Sequence, residues 1–239
     1  MRKQEIWDRS ENTENEDAPL YIAVGGNTGS GKSTLIGEIS REFSKHYGVR
    51  YFEVDERNFH HPLLTQMFFE PSQYALHVQL NFMLQRCAYI FHVLQNRLPS
   101  VMERCHFEDA IFIEDHYVQG NITKQEYRAY SKVREVLWAK IRAPDIYVRV
   151  LVEPNISIER IRRDEAEGKR PEEFPSDLAF CGYVERWYNA YKRFFNEMDD
   201  VTLESKLNTK AVYDVDPNKT PAESAADILS YFTIGGAGK

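Results

Sequence analysis

The sequence predicts an α/β fold of three layers, in which a five-stranded parallel sheet is flanked by helices on both faces. Short apolar runs rich in β-formers alternate along the chain with longer amphipathic segments, the pattern of strands connected by helices. One of these runs, residues 146–152, is almost continuously apolar. Such a run is typical of a strand that is buried on both faces of a parallel sheet.

Each element is predicted from its periodicity and from the turn residues around it. The strands are predicted at 21–25, 49–55, 99–103, 145–152 and 211–215. The helices are predicted at 31–46, within 62–97, within 107–140, within 155–196 and at 221–231. With 239 residues, 42% of them hydrophobic, the chain can form one domain, which we place at 18–233. Residues 1–17 are predicted to be a disordered acidic arm, and residues 234–239 a flexible tail.

Composition and charge exclude several classes of protein. The formal net charge of −7 argues against a nucleic-acid or anionic-membrane partner, because either would need clustered Lys and Arg. Cys87, Cys105 and Cys181 show no C-x-x-C spacing, so neither a disulfide framework nor a zinc site is expected. No apolar stretch approaches the roughly 20 residues that span a bilayer, and no secretory signal core is present. We therefore expect a soluble cytoplasmic protein.

A complete phosphate-binding loop follows the first predicted strand. Residues 26–33 read G-N-T-G-S-G-K-S and match the motif G-x-x-x-x-G-K-[ST]. The glycines allow a tight turn that aims backbone N–H groups at phosphate oxygens, Lys32 adds positive charge, and the Ser33 hydroxyl can ligate Mg²⁺. We therefore expect a nucleoside triphosphate such as ATP as a ligand. The residues expected to contact it are Gly26, Asn27, Thr28, Gly29, Ser30, Gly31, Lys32, Ser33 and Thr34.

Charged residues follow the ends of the other predicted strands. Asp55-Glu56-Arg57 ends the second strand, Glu103-Arg104 the third, and Glu153 the fourth. The carboxyl ends of parallel strands meet at one edge of a sheet, where open α/β sheets bind their ligands. We therefore expect these charges to converge beside the phosphate-binding loop.

Two blocks of sequence behind this loop resemble the deoxyribonucleoside kinase family, in particular its bacterial deoxyadenosine and deoxyguanosine kinases. The first block runs from Glu103 to Asp109 and matches the family's E-R-S-x-x-x-D signature, with Cys105 in the serine position. The second block, residues 56–86, matches without gaps through H-P-L-L, F-E-P, Gln79 and Arg86. The resemblance covers about residues 20–232 and implies a P-loop kinase-like fold with an arginine lid.

The resemblance implies roles for the charges at the strand ends. Glu56 corresponds to the catalytic base that accepts the proton of the nucleoside 5′-hydroxyl. Asp55 is the alternative base, and Glu56 could also be an ordinary exposed charge in a loop. Glu103 corresponds to a carboxylate that helps to hold Mg²⁺. Arg104 corresponds to the guanidinium that contacts the 5′-oxygen and the transferred phosphate, a task suited to its parallel donors.

The resemblance also implies how the nucleoside would be recognised. Gln79, Arg86 and Asp109 fall where the family reads the base, and an acidic residue at position 109 favours deoxyadenosine, deoxyguanosine or deoxycytidine over thymidine. Phe68 stands where most members have a tyrosine that bonds the sugar 3′-hydroxyl, so the sugar preference stays open. Glu172 or Glu173 corresponds to the acidic partner of that hydroxyl.

The arginine lid and the donor base are placed less specifically. The run Arg160-Ile161-Arg162-Arg163 resembles the lid that closes over the triphosphate, and Arg160 and Arg163 are the lid residues that we expect. The alternative to a lid is that these arginines form an ordinary solvent-exposed basic face of a helix. Asp216 lies in the segment where the family holds the adenine of the phosphate donor.

The function that these observations predict is ATP- and Mg²⁺-dependent phosphorylation of a nucleoside 5′-hydroxyl in nucleotide salvage. Two alternatives stay open: a nucleoside monophosphate kinase, which would need extra positive charge such as Arg57, and a catalytically silent nucleotide-binding protein. The family commonly forms homodimers, and Tyr89, Phe91 and Val93 are the residues that could form such an interface here.

Overall fold

The computed structural model describes residues 18–169, 174, 176–197 and 209–236. The predicted acidic arm, residues 1–17, lies outside the described residues. The strands are β1 (Tyr21–Gly26), β2 (Phe52–Val54), β3 (Ser100–Glu103), β4 (Ile146–Val150) and β5 (Ala211–Asp214). They form one parallel sheet in the order β2-β3-β1-β4-β5. The predicted five-stranded parallel sheet is therefore confirmed.

The helices of the described part follow the predicted alternation with the strands. They are α1 (Lys32–Tyr47), α2 (Leu64–Phe69), α3 (Pro71–Asn96), α4 (Asp109–Val118), α5 (Lys124–Trp138), α6 (Pro154–Ala166), α7 (Asp177–Glu197) and α8 (Pro221–Gly236). Short 3₁₀ turns at Glu56–Asn58 and His106–Glu108 follow β2 and β3. None of the helices in the described ranges is long and apolar enough to cross a membrane.

The core lies on both faces of the sheet, as a three-layer fold requires. Successive residues of β1 point to opposite faces. Ile22 and Val24 belong to the cluster that includes residues of α1 and α8. Tyr21 and Ala23 belong to the cluster that includes residues of α3 and α7. Both faces of β1 are therefore covered, which explains why the strand reads as a continuous apolar run.

Several predicted boundaries differ from the structure for local reasons. β2 is shorter than the predicted 49–55, because the Tyr51 backbone N–H donates to Ser44 Oγ (2.9 Å) instead of to a strand. β4 ends at Val150 rather than at residue 152, because the side chain of Asn27 bonds both backbone groups of Val152.

The last helix is also longer than expected. α8 continues to Gly236 rather than to residue 231, because Phe232 still packs against the core cluster. Residues 234–236 of the predicted flexible tail are therefore helical, and 237–239 lie outside the described residues.

Candidate active site

A large cleft lies beyond the carboxyl ends of the strands, where the sequence places its charged residues. Its volume is about 1100 Å³. Among its walls are these predicted site residues: Thr28, Gly29, Ser30, Gly31, Lys32, Ser33, Thr34, Glu56, Phe68, Gln79, Arg86, Glu103, Arg104, Asp109, Arg160, Arg163 and Asp216. Gly26 and Asn27, the first two residues of the loop, do not line the cleft, and Glu172 and Glu173 fall outside the described residues.

The phosphate-binding loop turns between β1 and α1 with backbone angles that favour glycine. Gly31 precedes α1 with φ of 92°, in the left-handed region. At Gly26 an added Cβ would lie 2.1 Å from the carbonyl oxygen of Val150, so only glycine fits beside β4. The first turn of α1 faces the cleft through Ser33 and Thr34, so the positive end of the helix dipole lies where phosphates would bind.

Asn27 holds this loop in place rather than facing the cleft. The side chain is fully buried, and its amide donates to the Val152 carbonyl (2.9 Å) and to Ser157 Oγ (3.2 Å). The Val152 N–H donates back to Asn27 Oδ1 (3.1 Å). These bonds join the loop to the segment after β4 and to α6, so the side chain of Asn27 is engaged within the protein, and a contact of its backbone N–H with the triphosphate stays a prediction.

Lys32 is buried beneath the loop beside a carboxylate from β3. Its Nζ donates to the carbonyl of Asn27 (2.9 Å) and lies 3.5 Å from Glu103 Oε1. Burial, reinforced by the positive charge of Arg104, lowers the pKa of Lys32 to about 8, although Glu103 opposes the change. Burial likewise raises the pKa of Glu103, against the attraction of Lys32. A bound triphosphate would relieve the cost of this buried positive charge.

The groups around Lys32 also suit the expected Mg²⁺. Within the described residues no group of three or more His, Cys, Asp or Glu could hold a metal by itself. Mg²⁺ is usually held by one or two carboxylates together with substrate phosphates and water. Glu103 and the Ser33 hydroxyl, which both line the cleft beside the loop, fit that kind of shared site.

Glu56 lies at the centre of a buried network of charges. One carboxylate oxygen accepts a hydrogen bond from Arg86, and the other forms an ion pair with Arg104. The second terminal nitrogen of Arg86 donates to Asp109. Arg86 is only 1% exposed, so the network has little solvent to screen it.

The alternative base, Asp55, has a different environment. Its carboxylate accepts from the backbone N–H of Arg57 (2.8 Å) and from Arg57 Nε (2.9 Å), which caps the 3₁₀ turn. Asp55 does not line the cleft, whereas Glu56 does. Of the two adjacent carboxylates, only Glu56 therefore lines the cleft.

Comparisons with known proteins agree with this geometry. The sequence model of the deoxynucleoside kinase family matches residues 22–231. The chain belongs to the deoxynucleoside kinase family. The predicted family is thereby confirmed.

Individual relatives in the comparisons are distant. Over 178 residues the chain is 25% identical to a deoxyadenosine kinase of Dictyostelium discoideum, covering 74% of this chain and 67% of that protein. Over 183 residues it is 27% identical to a deoxyguanosine kinase of the same organism, covering 74% of this chain and 59% of that protein. It thus spans about three fifths to two thirds of the length of these two relatives.

Two further similarities complete the comparison. A mitochondrial subunit of the mouse NADH dehydrogenase, alpha subcomplex subunit 10, is 27% identical over 261 residues, with 89% of this chain and 71% of that protein covered. The solved deoxyadenosine kinase of M. mycoides with bound products superposes with a TM-score of 0.66 at 21% identity. It covers 89% of this chain and 98% of that one, and shows that the fold is shared.

The three positions that are expected to contact the base in this deoxynucleoside kinase family member lie together on one wall of the cleft. Gln79 and Arg86 are two turns apart on α3, and Asp109 begins α4. One oxygen of Asp109 accepts from Arg86, while Oδ2 is buried and has no hydrogen-bond partner among the described residues. A buried acceptor without a partner is costly, so Asp109 Oδ2 suits a donor on a bound base.

Phe68 lies at the end of α2 in an aromatic cluster. Its ring centroid is 4.9 Å from that of Phe174 and 5.8 Å from that of Tyr183. All three rings line the cleft. The position that is usually tyrosine in this family is thus filled by an apolar ring that contacts other rings.

The basic run at the end of α6 divides between the cleft and the surface. Arg160 donates to the carbonyl of Ser30 (2.9 Å), and Arg163 also lines the cleft. Arg162 instead forms an exposed pair with Asp177. Both arginines that we expect in the lid therefore line the cleft, and Arg160 also contacts the phosphate-binding loop, whereas Arg162 does not line the cleft.

Three site residues were missed from the sequence. Glu108 is fully buried behind Arg104, and Tyr191 of α7 connects the two. His116 lines the cleft from α4, and burial lowers its pKa to about 4, so the ring is neutral near pH 7. The sequence offered two signals for these residues. Glu108 is an acidic residue at a variable position of the E-R-S-x-x-x-D signature, and His116 lies seven residues after Asp109, a spacing that places both on one face of a helix.

Proposed function

We propose that the protein transfers the γ-phosphate of ATP to the 5′-hydroxyl of a purine deoxynucleoside, deoxyadenosine or deoxyguanosine. The observation that carries the proposal is the contact between Glu56 and Arg104, which joins the two halves of the cleft. On one side lie Arg86 and Asp109, suited to a base, and on the other Lys32 and the phosphate-binding loop. A nucleoside and a triphosphate would therefore meet at Glu56.

The chemistry that these residues supply is orientation and charge stabilisation. Glu56 would orient the 5′-hydroxyl and accept its proton, while Lys32 and Arg104 would stabilise the negative charge of the transferred phosphoryl group. Mg²⁺ held by Glu103 and Ser33 would neutralise charge on the phosphates and align them. Arg160 and Arg163 would close over the triphosphate and exclude water.

The preference for a purine or cytosine base rests on Asp109 and Arg86. An ionised carboxylate accepts hydrogen bonds but cannot donate them, so Asp109 Oδ2 suits an exocyclic amino group, which adenine, guanine and cytosine carry and thymine lacks. The buried Gln79 amide can both donate and accept, and its only hydrogen-bond partner in the described structure is the weak acceptor Met67 Sδ, at 3.9 Å. The names of the Dictyostelium relatives support deoxyadenosine and deoxyguanosine.

Arg57 argues against a monophosphate acceptor. It lines the cleft, but two of its guanidinium nitrogens bond to Asp55, which neutralises the charge that an acceptor phosphate would need. The catalytically silent alternative has its own support, since one relative is named as a subunit of NADH dehydrogenase. The intact Lys32, Glu56 and Arg104 favour the active enzyme.

One assay separates these functions. ATP turnover is measured with deoxyadenosine, deoxyguanosine, deoxycytidine, thymidine and the corresponding monophosphates. The proposal predicts turnover with the purine deoxynucleosides and little with thymidine. Turnover only with monophosphates would establish the first alternative, and ATP binding without turnover on any acceptor would establish the second.

The matched variants Glu56→Gln and Asp55→Asn test the catalytic base. Glu56→Gln is expected to lower kcat about 100-fold or more, because an amide cannot accept the proton. Asp55→Asn is expected to change kcat much less, because Asp55 does not line the cleft. The reverse order of effects would move the base to Asp55.

We also propose a homodimer through an exposed apolar surface on α3 and α5. This α3–α5 surface consists of Leu84 and Phe91, which lie two turns apart on α3, and of Val133 and Val136 on α5, all at least 40% exposed. Tyr89, which the sequence also suggested, lies on another side of α3 and stacks on Phe59, with ring centroids 5.2 Å apart. Val93, which the sequence suggested, is buried and does not belong to it. Sedimentation equilibrium should give a dimer that Phe91→Glu dissociates, and a monomeric wild type would contradict the proposal.

We propose a cytoplasmic location, which the cysteines support. Cys87, Cys105 and Cys181 are free thiols, two of them buried. Cytoplasmic proteins keep thiols reduced, whereas oxidising compartments favour disulfides. Fluorescence microscopy of the tagged full-length protein tests this location.

A further inference from the structure

The guanidinium of Arg104 is held from behind as well as from the cleft. Arg104 is one of two non-glycine residues in the described chain with positive φ, at 61°, where the backbone turns at the end of β3. Its N–H still bonds the carbonyl of Val24 (2.9 Å), which fixes the backbone to β1. From there the side chain lies over the ring of Phe112, at 5.1 Å, and meets Glu56.

A chain of two hydrogen bonds connects Arg104 to a buried carboxylate. Arg104 Nε donates to the hydroxyl of Tyr191 (2.9 Å), and this hydroxyl donates to Glu108 Oε2 (2.7 Å). The other oxygen of Glu108 accepts from the backbone N–H of Cys105 (3.0 Å). Tyr191 is 1% exposed and Glu108 is 0% exposed, so water does not compete for these bonds.

The direction of the chain is fixed by the chemistry of its members. A carboxylate can only accept, so the single hydroxyl proton of Tyr191 points to Glu108 and leaves an oxygen lone pair for Arg104. Burial raises the pKa of Tyr191 well above its usual value, which keeps the hydroxyl protonated. Arg104 Nε is therefore engaged, and its terminal nitrogens are directed toward Glu56 and the cleft.

The same arrangement prevents a competing contact. Arg104 Nε lies 3.9 Å from Glu108 Oε2, beyond hydrogen-bond distance, and the Tyr191 hydroxyl bridges the gap. Without that hydroxyl, a movement of about 1 Å would let the guanidinium bond Glu108 directly, since such bonds are about 2.9 Å long. The side chain would then withdraw from Glu56 and from the phosphate.

We propose that Tyr191 and Glu108 are positioning residues that aim Arg104 at the transferred phosphate. The proposal rests on the phosphoryl transfer proposed above, because the orientation of Arg104 affects turnover only if Arg104 contacts the reacting oxygens. An arginine that contributes in the transition state must be held in the productive geometry beforehand. Neither Tyr191 nor Glu108 lines the cleft, so we expect both to affect turnover rather than nucleoside binding.

Tyr191→Phe tests this role with minimal change in packing. The expected result is a loss of kcat of about tenfold with a nucleoside KM within about twofold of wild type. The matched control is Tyr130→Phe, since Tyr130 is equally buried and its hydroxyl has no hydrogen-bond partner among the described residues. The control should keep wild-type kcat. Equal effects of the two substitutions on kcat would overturn the proposal.

A double-mutant cycle shows whether Tyr191 acts through Arg104. The Arg104→Lys variant lacks the Nε–H donor of Arg104. In that variant, adding Tyr191→Phe should lower kcat by less than about twofold. A further tenfold loss in that background would mean that Tyr191 acts by another route and would overturn the proposal.

A readout without turnover separates this proposal from the proposed function. In ¹⁵N-labelled wild type, the Nε–H resonance of Arg104, assigned by its loss in Arg104→Lys, should exchange slowly with solvent. In Tyr191→Phe the resonance should shift, and in Tyr130→Phe it should not. An unchanged resonance in Tyr191→Phe refutes the positioning geometry even if the enzyme is active. If the resonance shifts as expected but the protein phosphorylates no acceptor, the proposed function is refuted and the positioning geometry is not.

Discussion

Arg86→Met should destabilise the protein severely, because it leaves the buried carboxylate of Asp109 without its cationic partner. Methionine replaces the apolar stem of arginine, but it removes the guanidinium that bridges Glu56 and Asp109. Glu56 keeps its contact with Arg104. Asp109 loses its hydrogen bond from Arg86, while its other oxygen is already without a partner in the described structure.

The magnitude follows from the burial of both groups. Arg86 is 1% exposed and Asp109 2%, and removing one partner of a buried ion pair costs roughly 3–5 kcal/mol. Because Glu56 keeps one cationic partner, we expect the lower end, about 3 kcal/mol. Adding Asp109→Asn replaces the unpaired charge by a neutral amide and should return about 2 kcal/mol of that loss.

The assay is urea unfolding followed by tryptophan fluorescence, for the wild type, both single variants and the double variant. Trp138 and Trp187 belong to or pack against the core cluster and report on its loss. Arg162→Met is the matched control, because Arg162 also pairs with an aspartate, but both side chains are more than half exposed. It should leave the unfolding midpoint nearly unchanged.

The result that refutes this reasoning is additivity. If Arg86→Met and Asp109→Asn together lose the sum of their separate costs, the two side chains do not interact in the folded protein. A loss below about 1 kcal/mol for Arg86→Met would also contradict the network, since that is the cost of an exposed pair.

Three further predictions follow from the site and the core. Lys32→Ala should lower kcat/KM by at least about 100-fold, roughly 3 kcal/mol, with an unchanged circular dichroism spectrum, because its charge serves the phosphates. Phe68→Tyr should increase the preference for a 3′-hydroxyl over a dideoxy sugar in kcat/KM, and no change would mean that residue 68 does not meet the sugar. His106, whose pKa burial lowers to about 3, must protonate on acid unfolding, so stability is lost as pH falls below 6.5. His106→Phe should remove about 2 kcal/mol of the stability difference between pH 7.5 and pH 5 in urea titrations, and an unchanged difference would contradict this assignment.

The sequence predicted well what is encoded locally. The phosphate-binding loop is a continuous motif between a strand and a helix, so its position needed no long-range information. Glu56 lies two residues after β2, and Glu103 and Arg104 lie at the end of β3. Parallel strands bring residues at their carboxyl ends to one edge of the sheet. The sheet itself followed from runs that are buried on both faces.

What the sequence missed depends on contacts between distant residues. Tyr191 reaches Arg104 across 87 positions and Glu108 across 83. Asn27 stands inside the phosphate-binding motif, yet its side chain bonds Val152, 125 positions away. No local pattern distinguishes such a side chain from one that faces the ligand, because the difference arises only when β4 pairs with β1.

The arrangement of charges explains how one arginine could link the two substrates. Glu56 is held by two arginines, of which Arg86 also holds Asp109 and Arg104 also faces the phosphate side. An incoming 5′-hydroxyl would have freer access to Glu56 if the contact between Glu56 and Arg104 lengthened, because both groups bond the same carboxylate. A triphosphate offers Arg104 a stronger anionic partner, so its arrival would favour that change. The acceptor hydroxyl would thereby become ready for deprotonation when the donor phosphate is present, and the hydroxyl of Tyr191 would keep Arg104 from turning to Glu108 instead.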